Sequence, residues 1–295
     1  MKNHAILIQA HTQPELLGSI IKRLSSSNHH FFIHVDKKVN DYDQFLKYSS
    51  YNVHFINKRY KVNWGAYEQL LLTLELINAV KNSRIEFDYY HLISGQDFPI
   101  LDANSFDVFF ETKNESFMEL DTVTRFENRY MLIHLNSQIN IRDNRYNKLY
   151  DKFIKLQELL LHKGIRFRHS IPFQPYKGSN WWSLTSEAID YVLEFLRNNK
   201  WYSKRFKFTS CCDEVFFHTI LFNSPLTDKI VTDDLRYVEW SRKYNTDTLP
   251  RLLDLESFDD ILHSGKVFMR KVDIKISGPL VDKVKRICKD DILVK

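Results

Sequence analysis

The sequence predicts a single α/β domain in which helices cover both faces of a mostly parallel central sheet. Two observations predict this fold. Short apolar runs of strand length alternate with longer segments whose apolar residues recur at helical spacing. The hydrophobic share of 43% and the charged share of 27% are typical of a globular protein that can bury a sizeable core. We find no linker and no internal repeat, so we expect one domain over residues 1–295.

The first third of the chain has the clearest alternation of strand and helix patterns. Residues 5–8 form an apolar run, and residues 14–24 follow with a Pro-started pattern of helical spacing. The next predicted elements are strands at 31–36 and 53–56, a helix at 66–80 and a strand at 89–94. The later elements are less regular. They are a strand at 116–121, a helix at 147–162, a strand at 181–184, helices at 186–196 and 213–222, and an extended segment at 235–240.

Polar residues follow three of the predicted strands at the point where each strand ends. They are His11, Asp36 and the triplet Gly95-Gln96-Asp97. Ligands of parallel α/β sheets bind beyond the carboxyl ends of the strands. We therefore expect these residues to lie together at one edge of the sheet, as part of a binding site.

The charge and the cysteine content limit the partners and the compartment. The formal net charge of +5 is mild and is not concentrated in one basic run, so we expect a cleft for phosphorylated ligands and no nucleic acid partner. Cys211, Cys212 and Cys288 give an odd count with two adjacent residues, which does not indicate a disulfide framework. Because there is no export signal and no apolar stretch of membrane-spanning length, the sequence predicts a cytoplasmic protein. Peripheral attachment at the inner face of the membrane stays open, as does the oligomeric state.

The positions of the glycines decide between the nucleotide-binding folds. The seven glycines lie at 18, 65, 95, 164, 178, 265 and 278. No two are separated by one residue, so the dinucleotide pattern G-x-G-x-x-G cannot be written, and neither can the P-loop pattern G-x-x-x-x-G-K-S/T. A transferase that uses a nucleotide sugar remains.

Several short motifs support a more specific interpretation. In chain order they are His11-Thr12, FFIHVDKK at 31–38, Asn63-Trp64-Gly65-Ala66, YYHLISGQDFPI at 89–100, KGSNWWSLT at 177–185, and Asp213-Glu214 before an apolar helix. Together they resemble the core-2/I-branching enzyme family of β-1,6-N-acetylglucosaminyltransferases and peptide O-xylosyltransferases, from about residue 4 to about residue 273. With few cysteines and no anchor, the chain resembles a bacterial-type, soluble member of that family.

The resemblance implies a GT-A fold with a Rossmann-like sheet, inversion at the anomeric carbon, and catalysis without a bound metal or other cofactor. It implies a nucleotide-binding part at about 1–121 and an acceptor-binding and catalytic part at about 122–295. The expected reaction moves a sugar, GlcNAc or xylose, from a UDP-sugar to a hydroxyl of a carbohydrate acceptor in surface polysaccharide synthesis. The alternatives are a metal-dependent GT-A enzyme of another family and a non-catalytic carbohydrate-binding protein with this fold.

Inverting transfer requires one base that takes the proton of the acceptor hydroxyl. The resemblance gives this role to Glu214, whereas composition alone favours Asp213 and Glu214 as caps of the helix that follows. Metal-dependent GT-A enzymes hold their cation with a D-x-D pair after the central strand. Here the strand is followed by Gly95-Gln96-Asp97, which has one carboxylate, and the literal D-x-D at Asp41 to Asp43 indicates a solvated turn. We therefore expect no metal site.

The same resemblance implies the remaining site residues. For the nucleotide sugar they are His11, Asp36, Trp64, Asp97, Arg251, Arg270 and Lys271. The three basic residues of this set would hold the diphosphate in place of a metal ion. For the acceptor they are Glu119, Trp181 and Trp182. Alternation along a strand would send one of the two indoles inward and the other toward the cleft, and packing of both into the core is the alternative.

Overall fold

A computed structural model of the chain describes residues 1–143, 147–243 and 249–286. Its strands are β1 (His4–Ala10), β2 (His29–Val35), β3 (Val53–Phe55), β4 (Tyr89–Ser94), β5 (Asp97–Pro99), β6 (Ser116–Met118), β7 (Trp182–Thr185), β8 (Ile230–Val231), β9 (Arg236–Val238) and β10 (Phe268–Arg270). Its helices are α1 (Pro14–Arg23), α2 (Asp43–Leu46), α3 (Tyr67–Asn82), α4 (Ala103–Glu111), α5 (Glu127–Met131), α6 (Asn147–His162), α7 (Ser186–Asn198), α8 (Lys200–Arg205), α9 (Asp213–Leu221), α10 (Phe258–His263) and α11 (Ile274–Lys285). Short 3-10 helices lie at Thr227–Lys229 and Leu255–Ser257. Cys211 and Cys212 are buried free thiols, and Cys288 lies outside the described residues.

The main sheet has seven strands in the order β3-β2-β1-β4-β7-β6-β8. The first four are parallel to one another, and β6 is parallel to β8. β7 runs antiparallel to both of its neighbours, β4 and β6. The amino end of β7 therefore lies at the same edge as the carboxyl ends of the other strands.

The strands send alternate side chains into two hydrophobic clusters, one on each face of the sheet. Ile6 and Ile8 of β1 belong to the cluster that packs against α1, α4 and α11, whereas Ala5 and Leu7 belong to the cluster that packs against α3, α7 and α9. All residues of β1 are buried because the strand is interior to the sheet and covered on both sides. This two-sided burial confirms the predicted α/β fold.

A second, three-stranded sheet continues from the carboxyl end of β4. β5 pairs antiparallel with β10, and β10 pairs parallel with β9. The register places Arg270 opposite Asp97. Residues from the last third of the chain are thereby brought next to the carboxyl edge of the main sheet.

Most predicted elements are confirmed within a few residues. The strand at 89–94 and the helix at 147–162 have the predicted bounds, whereas the strand predicted at 116–121 ends at Met118. α4 was not predicted, although Asp102 provides an N-cap by accepting a hydrogen bond from the N–H of Ser105. β5 and β10 were not predicted either, because three residues are too few for an alternation pattern. In the described part of the chain, no helix is both long and apolar enough to cross a lipid bilayer.

Candidate active site

The carboxyl ends of β1, β2 and β4 lie side by side. Ala10 is paired with Val35, and Gln9 with Ser94. Backbone hydrogen bonds extend this alignment past the strand ends, since the N–H of Asp36 donates to the carbonyl of Ala10 at 2.9 Å and the N–H of Gly95 donates to that of Gln9 at 2.8 Å. His11, Asp36 and the Gly95 turn therefore share one edge, as the strand pattern predicts.

His11 and Asp36 interact at this edge. Burial lowers the pKa of the His11 imidazole, the Asp36 carboxylate raises it, and the cations of Lys271 and Lys38 lower it further. Asp36 itself accepts a hydrogen bond from the N–H of Lys38 at 2.8 Å. The net lowering of the pKa favours a neutral imidazole at neutral pH, which can accept or donate a hydrogen bond to a polar ligand.

Asp97 is fully buried, and each of its carboxylate oxygens has a partner. One oxygen accepts from Arg270 at 2.7 Å, and the other accepts from the N–H of Ser94 at 2.7 Å. The same guanidinium nitrogen of Arg270 also lies 2.7 Å from the hydroxyl of Ser94, and its guanidinium carbon lies 4.6 Å from the centroid of the Trp181 ring. Asp97 thus fixes a guanidinium at the end of the central strand.

Lys271 lies beside this guanidinium in a cluster of positive charge. The N–H of Val272 donates to the carbonyl of Gln96 at 2.8 Å, which holds this segment against the turn after β4. Burial lowers the pKa of the Lys271 ammonium, and Arg270 and Arg142 lower it further, while Asp273 opposes them. Cations that repel one another in this way form a site that an anion would stabilise.

Arg142 extends the cluster toward the Asn63-Trp64-Gly65 turn. Its guanidinium carbon lies 4.8 Å from the centroid of the Trp64 ring, which is half exposed. Such a stack holds a cation over an aromatic face. No sequence motif identifies Arg142, because it falls between the recognised patterns. Trp64 is at the surface and does not fill the core.

Arg251 belongs to a segment that runs next to Lys271. Its N–H donates to the carbonyl of Glu239, and the N–H of Leu253 donates to the carbonyl of Lys271, both at 2.9 Å. The guanidinium has one long contact to the hydroxyl of Ser257 at 3.4 Å, and its buried Nε has no partner among the described residues. Arg251 is therefore adjacent to the cation cluster and has unused donor capacity.

Glu214 lies at the amino end of α9, where that helix meets the same edge. Its carboxylate forms an ion pair with Arg129, and both side chains are 30% exposed. Cys212 is the N-cap residue and provides no side-chain cap, and the ion pair directs the Glu214 carboxylate toward Arg129. Arg129 was not predicted as a site residue, since it lies 85 positions away in the short helix α5.

Asp213, the neighbour of Glu214, is buried. Burial first, and then the charge of Glu214, raises the pKa of its carboxyl to about 7, and one of its oxygens has no hydrogen-bond partner among the described residues. Two adjacent carboxyls therefore have different surroundings, and the half-exposed one is the better placed to contact a substrate.

Gly178 links the end of β6 to the start of α9. Its N–H donates to the carbonyl of Glu214 at 3.0 Å, and the ring of His218 bonds the carbonyl of Glu119 at 3.0 Å. An added Cβ at Gly178 would lie 1.9 Å from that Glu119 oxygen. Only glycine fits here, and the close approach holds Glu119 and Glu214 at the same edge.

Glu119 lies just beyond β6 with an accessible side chain. Although the side chain reaches solvent, neighbouring protein atoms displace part of the water around its carboxyl, and this effect first, and then the charges of Asp234 and Asp121, raises the pKa of the carboxyl, while Lys177 opposes them. A carboxyl in these surroundings can exchange hydrogen bonds with sugar hydroxyls.

The two tryptophans have opposite environments, as strand alternation predicts. Trp181 is partly exposed beside Arg270, whereas Trp182 is completely buried, with its ring centroid 5.5 Å from that of Phe217. The prediction that Trp182 contacts the acceptor is therefore wrong, because its indole belongs to the core under α9. Trp181 remains the candidate for stacking on a sugar.

One group of possible metal ligands occurs in the described residues, and it lies away from this site. It consists of His4, His29 and Asp107. His4 and His29 are paired at the amino ends of β1 and β2, the opposite edge of the sheet. His29 bonds Asp107 at 2.9 Å and the carbonyl of Leu24 at 2.7 Å, so these side chains form a buried hydrogen-bond network.

Comparison with known proteins identifies related sequences. The profile described as Core-2/I-Branching enzyme matches residues 7–262. Xylosyltransferase sqv-6 of Caenorhabditis briggsae is 25% identical over 231 residues, which cover 76% of this chain and 26% of that protein. Xylosyltransferase 1 of Rattus norvegicus is 26% identical over 235 residues, which cover 77% of this chain and 26% of that protein. The chain thus spans about a quarter of the length of these curated relatives.

Proposed function

This chain belongs to the Core-2/I-Branching enzyme family of glycosyltransferases, and we propose that it is an inverting, metal-independent enzyme that uses a UDP-sugar. One observation carries the proposal. The edge of the sheet that carries the accessible Glu214 carboxylate also carries the cluster of Arg270, Lys271 and Arg142. Transfer of a sugar from a nucleoside diphosphate requires a base for the acceptor and, next to it, a site that stabilises the anionic leaving group.

In the proposed reaction the hydroxyl oxygen of the acceptor attacks the anomeric carbon, and Glu214 takes the proton of that hydroxyl. The bond from that carbon to the diphosphate breaks on the opposite face, and the electron pair leaves with the UDP. The contact with Arg129 positions the carboxylate, because a charge-assisted bond at one oxygen limits the rotation of the side chain. The other oxygen is then available for the acceptor.

Fixed cations would take up the charge of the departing diphosphate. Lys271, Arg270 and Arg251 are the candidates, and the lowered pKa of Lys271 supports a site that gains stability when an anion arrives. Asp97 supports the absence of a metal from the reaction, because both of its oxygens already accept hydrogen bonds and Arg270 supplies the positive charge beside it.

On the acceptor side, Glu119 and the exposed face of Trp181 would bind sugar hydroxyls and a sugar ring. We propose xylose or GlcNAc as the transferred sugar and a surface glycan as the acceptor. Two relatives are named as xylosyltransferases, which favours testing UDP-xylose first.

The central experiment compares Glu214→Gln with the unchanged chain and with Glu194→Gln, an exposed glutamate of α7 as the control. Transfer from UDP-xylose and UDP-GlcNAc is measured in the presence of a chelator, and UDP binding is measured by calorimetry. We expect Glu214→Gln to lower transfer by roughly 100-fold or more with nearly unchanged UDP affinity. Wild-type turnover in this variant would refute the assignment of the base. Activity that requires manganese would support a metal-dependent enzyme, and sugar binding without turnover would support a non-catalytic protein.

A further inference from the structure

Helix α6 exposes apolar residues and buries a polar one. Leu149, Leu156 and Leu159 are 75%, 55% and 53% exposed, and Phe153 is 36% exposed. Gln157, by contrast, is only 3% exposed. A surface helix of a globular protein normally turns its apolar stripe toward the core. The outer face of α6 reverses this pattern.

Polar contacts hold the inner face of the helix to the domain. The amide of Gln157 accepts from the N–H of Ile133 at 2.9 Å and donates to its carbonyl at 3.0 Å. The hydroxyl of Tyr150 donates to Asn136 at 2.9 Å. These contacts fix the orientation of α6, so the apolar residues on its outer face are held toward solvent.

Three of the exposed side chains form an apolar stripe along the outer face. At about 100° per residue, Leu149, Phe153 and Leu156 project within roughly 60° of one another. The stripe is continuous along the helix, since the residues are spaced by four and three positions.

A lysine row runs beside the apolar stripe and consists of Lys148, Lys152 and Lys155. All three are exposed, and in the part of the chain that the structure describes none of them forms an ion pair. The acidic residues of the helix, Asp151 and Glu158, project on the far side of the lysine row from the stripe. Glu158 also accepts a hydrogen bond from Asn128 at 2.8 Å. Among the charged residues of α6 that the structure describes, the lysines are therefore the ones that border the stripe.

We propose that α6 is a membrane-surface helix that inserts its apolar stripe into an anionic lipid bilayer and sets its lysine row against the headgroups. An exposed apolar face flanked by lysines is the pattern of interfacial helices, and anionic lipids attract each lysine near the surface. A second copy of the chain fits this face less well, because it offers the same stripe and lysine row, and its Asp151 and Glu158 lie beyond the lysine row, away from the stripe.

The helix lies close to the candidate active site. Tyr150 bonds Asn136, and Asn136 donates to the carbonyl of Gly65 at 3.0 Å, next to Trp64. A bilayer bound to α6 would therefore lie near the carboxyl edge of the sheet, within reach of an acceptor carried in the membrane.

The test measures how the full chain partitions onto phosphatidylcholine vesicles with and without phosphatidylglycerol, in a flotation assay. We expect binding only to the anionic vesicles and a marked loss in high salt. Lys152→Gln with Lys155→Gln should weaken the partition roughly 25-fold, at about fivefold for each lysine. Leu149→Ser with Leu156→Ser should weaken it at least about tenfold.

The control variant, Lys22→Gln with Val108→Ser, makes the same kinds of change on α1 and α4 and should bind like the unchanged chain. Circular dichroism checks that each variant is folded, and the lysine variant decides the question if the leucine variant does not fold. Equal binding to both vesicle types, or unaltered partition in both variants, would overturn the proposal. A dimer that the leucine variant abolishes, without vesicle binding by the unchanged chain, would overturn it in favour of self-association. Because no turnover is measured, the outcome is independent of the proposed reaction.

Discussion

Gly178 is the position where one added methyl group is expected to disturb the site most. A Cβ there would lie 1.9 Å from the carbonyl oxygen of Glu119 and 2.5 Å from Nε2 of His218. Neither neighbour is a free side-chain end, because the His218 ring bonds that same carbonyl at 3.0 Å. Since real Cβ contacts are essentially never shorter than 3.0 Å, the backbone at 178 must shift by about 1 Å.

The expected cost of Gly178→Ala follows from this shift. Overpacking of this kind costs about 1–3 kcal/mol, and loss of the hydrogen bond from Gly178 to the Glu214 carbonyl adds about 1 kcal/mol. We therefore expect the free energy of unfolding to fall by about 2–4 kcal/mol. Because the shift also displaces the start of α9, turnover should fall by up to roughly 100-fold, a loss that a 1 Å misplacement can cause.

Gly278→Ala is the matched control. Gly278 lies inside α11 directly before Pro279, and apart from its chain neighbours and the nearby helix backbone an added Cβ would meet no atom within 4 Å. Alanine is favoured over glycine in a helix by about 0.5–1 kcal/mol, but a Cβ directly before proline crowds the proline ring in helical backbone. The two effects oppose each other, so this variant should keep nearly unchanged stability and full activity. Urea unfolding and transfer rates of the two variants give the comparison. Wild-type stability and turnover in Gly178→Ala would refute the close approach on which this reasoning rests.

Three further predictions concern charge and packing. Lys271→Ala should weaken UDP binding in calorimetry by roughly 10- to 100-fold, as for a lost bond to a charged group, while the exposed Lys275→Ala has no effect; equal affinities would contradict the cation cluster. Trp182→Ala should lower the free energy of unfolding by about 3–5 kcal/mol, whereas Trp181→Ala should mainly raise the acceptor KM; equal losses of stability would contradict the assignment. The pKa of Asp213 is raised to about 7, so its folded carboxyl keeps a proton that the unfolded chain releases, and stability falls as pH rises from about 4 to 7. Asp213→Asn should remove this loss. Measured by urea unfolding, the free energy of unfolding of the variant relative to that of the unchanged chain should be up to about 3 kcal/mol higher at pH 8 than at pH 5. Parallel pH profiles of the two proteins would argue against a buried, protonated carboxyl.

The positions of His11, Asp36 and Asp97 could be predicted from sequence for a simple reason. Parallel strands end at a common edge, so residues that directly follow them must lie near one another whatever the details of packing. Even there the sequence did not give the partner of Asp97. Arg270 pairs with it only because the short strands β5 and β10 meet, and strands of three residues leave no periodic signal.

Arg129 and Arg142 could not have been found in the same way. Each lies outside the recognised motifs, and the chain has 42 lysines and arginines in all, so composition singles out neither. Their roles come from tertiary contacts, with the Glu214 carboxylate in one case and the Trp64 ring in the other. The sequence also predicts the environments of Trp181 and Trp182 only in part. Alternation predicts that one indole is buried, but the pairing of Trp182 with both Leu92 and Met118 decides which one.

The Asp97–Arg270 pair joins the two halves of the proposed site. A fully buried carboxylate is stable only with a counter-charge and filled hydrogen-bond sites, so Arg270 cannot leave Asp97 without a large cost. The guanidinium of Arg270 also lies over the Trp181 ring, which would contact the acceptor. Lysine would replace this arginine only in part, since its ammonium could bond Asp97 and Ser94, as one nitrogen of Arg270 does, but it has no planar group to stack on the indole. In the proposed reaction, an acceptor that moves Trp181 would therefore act on the same cation that we propose for the departing diphosphate, so Arg270 would connect the acceptor side with the donor side.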